Sequence, residues 1–415
     1  MATPARAPRR RQQPLEYNIL LTATLCLMAA GAVMVFSASS GRSTLQGQDG
    51  TGYLVRYVLY GAVGFVALQA IARTELERIT RLTGPLLAAA FVMLVLVKIP
   101  GIGVEINGAR RWLGAGPLQF QPAEVMKVAL VLYAAKLLTL RHKTLADPRQ
   151  LLPLALVVAP ACLLVASQPD LGTALVLAFT TGALLFAAGV PMRTLLIIGG
   201  VAVVLISLYA LSAPYRRDRL TSFLNPWDHS ATIGFQAVQG QIALGSGGFF
   251  GRGLGESAQK LFFLPEAHTD FILAVIGEEV GVVGVLAVVF LYGLIAYAGL
   301  RVAKHAAGRY AQLVAAGVTA LVLCQAILNL FAVLGLAPLT GVPLPFLSYG
   351  STNLIVLLAA MGLLLNVANG GTARLQVVPT ARDRQGSGRD VRGDRSRGNS
   401  GARGAGAGGR RRATG

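Results

Sequence analysis

A few ionisable and hydrogen-bonding residues stand out because the chain around them is almost wholly apolar. An ionisable group within a membrane span costs roughly 2.5–3.5 kcal/mol, so each one needs a partner or a function. Asp270 heads a long apolar run, directly after Leu264-Pro265-Glu266-Ala267-His268-Thr269. A carboxylate there is either a helix N-terminal residue favoured by the macrodipole or a base for a substrate hydroxyl. On a continuous helix, Gly277, Gly281 and Gly284 would fall within about 40° of its face. Such a seam admits a second backbone or a ligand.

Glu124 and Lys127 follow Gln121-Pro122 with i,i+3 spacing, which puts the proline in the first helical turn and the two charges on one face. They read either as a structural ion pair or as a site where Lys127 meets an anionic group, with Arg110 and Arg111 at its rim, since guanidinium and ammonium groups are natural phosphate ligands. Asp170, after Ser167-Gln168-Pro169, reads by default as a helix N-cap. Gln325 and Asn329 are i,i+4 in one span, suited to interhelical bonds or to lining a cavity. Ser348-Tyr349-Gly350-Ser351 follows Pro343 and Pro345, and irregular backbone at that depth must line protein or water. His268 beside Asp270 reads by default as a hydrogen-bonded structural residue. The sequence offers no metal-ligand cluster, phosphate-binding loop or Ser or Cys triad.

The elements that must position these groups are membrane helices. The chain has 415 residues, 54% hydrophobic and 13% charged, a balance that excludes disorder for most of it and disfavours a soluble domain. Cys26, Cys162 and Cys324 lie in separate apolar runs and read as packing, not disulfides. Of 37 Lys and Arg residues behind the net charge of +19, eleven sit after residue 369. A membrane surface explains this charge better than nucleic acid does. Runs long enough to cross roughly 30 Å of hydrocarbon occur at Ile19–Phe36, Leu54–Ala72, Thr83–Ile99, Pro122–Thr139, Leu151–Ala166, Leu171–Ala188, Thr194–Leu211, Asp270–Leu300, Gln312–Leu336 and Phe346–Val367. The expected fold is therefore an all-α polytopic membrane protein of about ten transmembrane helices, with a long extracytoplasmic loop between helices 7 and 8.

Lys and Arg counts place both termini in the cytoplasm, the asymmetry being carried by the termini themselves. No cleavable signal peptide is expected, because the run after Arg9–Arg11 is long for one. Residues 1–14 and 370–415 are rich in Arg, Gly, Ser and Pro and are expected to be disordered, flanking a membrane domain over 15–369. The tail's natural contact is anionic inner-leaflet lipid. Two polar connections, Gly101–Gln121 with Arg110, Arg111 and Trp112, and Ser212–Thr269 with Arg219, Lys260 and Glu266, fall on the outer face. Function is expected there.

Several runs in these connections resemble the SEDS family (shape, elongation, division and sporulation). They are Asn225-Pro226-Trp227, Gly234-Phe235-Gln236-Ala237-Val238-Gln239, Gly245-Ser246-Gly247-Gly248, Gly251-Arg252-Gly253-Leu254-Gly255 and Leu264 to Phe271. Further matches are Asn107-Gly108-Ala109-Arg110-Arg111-Trp112-Leu113, Gln121-Pro122-Ala123-Glu124, Gln168-Pro169-Asp170-Leu171-Gly172-Thr173, Gly277-Glu278-Glu279 and Leu344 to Gly350. The likeness spans roughly residues 15–370, and Pro265-Glu266-Ala267-His268 looks more like the division branch than the elongation branch. One departure is Ser351-Thr352-Asn353, where the family usually has Gly-Ser-Ser.

The resemblance implies a ten-helix peptidoglycan glycosyltransferase in the bacterial cell membrane that polymerises lipid II on the outer face, at the division septum if the branch holds. Its implied partners are a class B penicillin-binding protein, an FtsI-like transpeptidase, and other divisome proteins. The family's catalytic aspartate matches Asp270. The sugar of lipid II is α-linked to pyrophosphate and the glycan is β-1,4-linked, so one in-line displacement with inversion suffices, with a single base and no carboxylate nucleophile. The leaving undecaprenyl pyrophosphate is already acidic and needs charge stabilisation, for which Arg110, Arg111, Lys127, Arg219 and Lys260 are candidates. Trp112, Glu124, Asp170, Glu266, His268 and Ser348 complete the expected substrate site. No tightly bound cofactor is expected, and a divalent cation would arrive with the pyrophosphate. A lipid II flippase using Glu124, Lys127 and Asp170, or a non-catalytic divisome scaffold, are the alternatives.

Overall fold

The computed structural model describes residues 14–45, 50–106, 108–115, 118–145, 147–211, 222–232, 234–257 and 267–373, with positions 217 and 259. Ten spans are present among them. The first three are α1 (Leu15–Leu45), α2 (Gly52–Arg73) and α3 (Leu76–Leu96), and the next four are α4 (Pro122–Leu140), α5 (Leu152–Ala166), α6 (Leu171–Ala187) and α7 (Met192–Leu211). After a short helix, α8 (Phe235–Ser246), come α9 (Ile272–Glu279) with α10 (Gly281–His305), then α11 (Arg309–Val333) and α12 (Ser351–Ala368). Eight spans are long and apolar enough to cross a membrane by those criteria alone. The other two, α4 with Glu124, Lys127 and Lys136, and the 17-residue α6, are held mainly by their neighbours. Burial follows that division. α4, α11 and α12 fill the middle of the bundle, whereas no described side chain of α7 is buried.

Two spans differ from the sequence expectation. The expected helix from Asp270 to Leu300 is broken: α9 ends at Glu279, and Gly281, at φ +75°, starts α10. Asp270 lies in a turn ahead of α9, whose N-cap position is Phe271, so Gly277, Gly281 and Gly284 do not continue a face from it. The cause is a second backbone. A Cβ on Gly247 would come 1.9 Å from the Gly277 carbonyl oxygen, and one on Gly251 would come 2.1 Å from that of Glu279. The glycine-rich segment 247–251 thus lies directly on the break. There Arg252 N donates to Glu278 O and Gly253 N to Glu279 O, both at 3.0 Å. The last span starts at Ser351, not Phe346, because residues 341–350 are irregular.

The connection 101–121 folds into a three-stranded antiparallel sheet, β1 (Gly103–Ile106), β2 (Ala109–Ala115) and β3 (Leu118–Phe120). Ile106 pairs with Ala109 across a two-residue turn containing Gly108 at φ +73°. The Asn107-Gly108 dipeptide is a strong hairpin signal, and alternation with Trp112 opposite Val104 and Arg110 opposite Glu105 could have revealed the sheet.

One bundle end is marked by the Arg301–Glu16 ion pair, 3.3 Å, which joins the start of α1 to the end of α10. The sheet, the 167–170 turn, residues 267–271 and the 341–350 segment gather at the other end. Residues 1–13 and 374–415 lie outside the described residues, so the expectations of disorder at both termini are untouched.

Candidate active site

The centre of the site is the irregular segment 340–350. At membrane depth every backbone carbonyl needs a partner, and here side chains from several helices supply them. Asn329 Nδ2 on α11 donates to Val342 O at 2.8 Å and Gln325 Nε2 to Pro343 O at 2.9 Å. Tyr292 on α10 donates to Pro345 O at 2.5 Å, and Tyr57 on α2 donates to Phe346 O. Ser348 Oγ accepts from Leu344 N at 2.8 Å and so closes the turn. On α1, Gly31 makes room: a Cβ there would lie 2.8 Å from Phe346 O and 2.9 Å from Leu347 O.

Asp270 flanks this segment. The second bond of Asn329 Nδ2 goes to Asp270 O, 2.8 Å, so one amide fixes both the aspartate backbone and Val342. A Cβ on Gly341 would stand 3.9 Å from Asp270 Oδ2. Gly341 thus borders the carboxylate. Thr269 Oγ1 donates to Asp270 Oδ1 at 3.0 Å, and the aspartate is half-buried. Nearby, His268 O accepts from Tyr349 N at 2.9 Å, while the His268 ring packs against Tyr53 at 4.6 Å and Tyr349 at 5.6 Å. Arg56, on the same helix as Tyr53, lies close to Tyr349. Sequence reading missed Arg56, although its place inside the Leu54–Ala72 run, where an ionisable group needs a partner or a function, was a signal.

The other flank holds a buried polar chain. Lys127 Nζ lies 2.7 Å from Glu124 Oε2, donates to Gln325 Oε1 at 2.8 Å, and reaches Asn353 Oδ1 at 3.5 Å; its side chain is 1% exposed and that of Glu124 is 2% exposed. The two charges are paired, and Gln325 joins them from α11. Asn353 and Thr352, part of the family departure, are built in: Thr352 Oγ1 accepts from Gln121 N at 3.0 Å. Asp170 is an N-cap, as expected, accepting from Thr173 N at 3.0 Å, and Gln121 Nε2 donates to its other oxygen at 3.0 Å.

The two arginines of β2 diverge. Arg110 pairs with Glu105 at 3.0 Å on the exposed rim, whereas Arg111 donates to Gln168 O at 2.8 Å and to Pro169 O, clamping the turn that carries Asp170. Trp112 is half-buried in the same strand. Arg111, Asp170, Glu124 and Lys127 thus meet on one side of residues 340–350, and Asp270 and His268 on the other, with Ser348 within the segment itself. Arg219, Lys260 and Glu266 lie outside the described residues.

Residues 17–372 match the model of the FtsW/RodA/SpoVE family, described as cell cycle proteins. The chain belongs to this family. Stage V sporulation protein E of Bacillus subtilis (strain 168) is 38% identical over 351 residues, 84% of this chain and 96% of that protein. A probable peptidoglycan glycosyltransferase FtsW from Geobacter sp. (strain M18) is 39% identical over 360 residues, 86% of this chain and 98% of the relative. Among solved structures, a chain of a peptidoglycan synthase complex that coordinates polymerization and crosslinking superposes with a TM-score of 0.71 at 32% identity, covering 84% of this chain and 96% of that one. The rod shape determining protein RodA of Thermus thermophilus gives 0.64 at 30% identity, covering 88% and 100%. The ten-span architecture is that of FtsW/RodA/SpoVE proteins, and the chain is a multi-pass membrane protein.

Proposed function

We propose that this chain is a peptidoglycan glycosyltransferase of cell-wall synthesis that polymerises lipid II, with Asp270 as the base that takes the proton from the acceptor sugar 4-hydroxyl. The observation that carries this reading is the setting of Asp270: a half-buried carboxylate beside the irregular 340–350 segment, its backbone held by Asn329 and its Oδ2 bordered by Gly341. Hydroxyl attack on the anomeric carbon breaks the bond to pyrophosphate with inversion, and the hydroxyl proton passes to Asp270. In this scheme the exposed Arg110 rim and Arg56 meet the pyrophosphate charge. A divalent cation, in this scheme, enters with that pyrophosphate. Purified protein given lipid II in detergent should produce glycan strands on a gel. A flippase or scaffold would give none, because detergent removes the two compartments and leaves transport nothing to do.

Asn329 is a positioning residue in this scheme. Asn329→Leu keeps the volume but strips the Asp270 and Val342 carbonyls of their donor, at about 1–3 kcal/mol for a buried unsatisfied group. With the carboxylate displaced, turnover should fall on the order of 10²-fold. A kcat within twofold of the parent would remove Asn329 from that role.

Both termini are assigned to the cytoplasm, with a class B penicillin-binding protein as transpeptidase partner and the septum as the place of action. The tail from Gly370 carries eleven Arg against three Asp and, across the bilayer from Asp270, would lie on anionic lipid at roughly 1 kcal/mol per basic residue. Truncation at Gly370 should leave polymerisation in detergent unchanged. A Ser387→Cys variant should resist an impermeant thiol reagent in intact cells, and labelling there would invert the topology.

A further inference from the structure

The glycine-rich turn 247–255 carries two features that the site does not use. Phe249 is 65% exposed and Phe250 is 80% exposed, the rings packed edge to face at 5.6 Å, and Leu254 beside them is 63% exposed. Three exposed apolar side chains on one turn need a cover of some kind.

Their position says which. Val282 N donates to Gly248 O at 3.1 Å and Val283 N to Phe249 O at 3.3 Å, so the turn is bonded to the first residues of α10. That helix continues the same apolar surface, with Val282, Val283, Leu286, Val289 and Phe290 all exposed. Its other end is fixed by Arg301, paired with Glu16 and bonded to Tyr297 at 2.8 Å. From Gly281 to Arg301, at 1.5 Å per residue, α10 covers about 30 Å, the thickness of the hydrocarbon core. The turn therefore stands at the outer boundary of that core, where aromatic side chains anchor proteins at the level of the headgroups.

We propose that Phe249 and Phe250 insert into the outer leaflet at the boundary between headgroups and acyl chains. The occupant of this surface is lipid, not a second protein. The turn is also bonded to Glu278 O and Glu279 O at the end of α9, so the insertion sets a reference depth for the outer connection that leads into Asp270.

The test places a single tryptophan on the turn. With Trp112→Phe and Trp227→Phe removing the two native indoles, Phe250→Trp is reconstituted in bilayers containing lipids brominated near the carbonyl end or near the methyl end of the chain. Phe290→Trp, about 13 Å further along α10, is the deep reference. Phe250→Trp should lose most of its emission to the shallow bromines and little to aqueous iodide, while Phe290→Trp responds most to the deep ones. Quenching of Phe250→Trp by iodide without a response to either brominated lipid would overturn the proposal, as would an absence of all quenching, which would mean that protein covers the turn. If Phe250→Trp does not yield monodisperse protein, Phe249→Trp reports on the same boundary.

Discussion

Asp270→Asn should abolish strand synthesis while the protein stays folded. The amide has the same volume and leaves in place the backbone bond to Asn329, but it cannot accept the acceptor hydroxyl proton, and loss of a general base is worth about 10²–10⁴-fold in rate. The measurement is the initial rate of lipid II consumption in detergent, beside the melting temperature. A variant that polymerises at near the parental rate would show that the base lies elsewhere and that Asp270 has only a structural part in its turn.

The second large effect is on stability. Lys127→Met removes the cation from a site where Glu124 is 2% exposed, leaving a carboxylate in the bundle with its charge uncompensated. Breaking one half of a buried pair costs about 3–5 kcal/mol, whereas replacing both halves by neutral groups is often close to neutral. Lys127→Met should therefore lower the detergent melting temperature sharply, and adding Glu124→Gln should restore most of the loss. Activity follows separately. If the double variant regains both stability and polymerisation, Lys127 has no contact with lipid II, and the pyrophosphate charge falls to arginines at the rim such as Arg110. If stability returns without activity, Lys127 touches the substrate.

Much of the architecture was legible in the residues because membrane insertion is a local test. A span must satisfy its own backbone and present about twenty apolar side chains, so runs such as Gln312–Leu336 and Thr194–Leu211 declared themselves. Asp170 as an N-cap and Glu124 with Lys127 as a pair were also readable, since both depend on spacings of three residues within one helix. The cost of charge in lipid singled out Asp270, and Pro343 and Pro345 ahead of Ser348–Ser351 marked the helix break, from the sequence alone.

What the tertiary structure decided are the contacts made by residues far apart in the chain. Helical periodicity drew Asp270 and Gly277 to Gly284 onto one helix. The break at Gly281 exists because the backbone of Gly247–Gly251 occupies the space that a continuous helix would need, and sequence spacing carries no record of that approach. The same holds for Arg56, which meets Tyr349 across nearly three hundred residues of chain, and for Asn329, whose amide joins Asp270 to Val342. Local sequence determined which segments cross the membrane and which groups were too costly to be there by chance. Only packing, which satisfies an irregular backbone with donors borrowed from other helices, decided what surrounds the carboxylate.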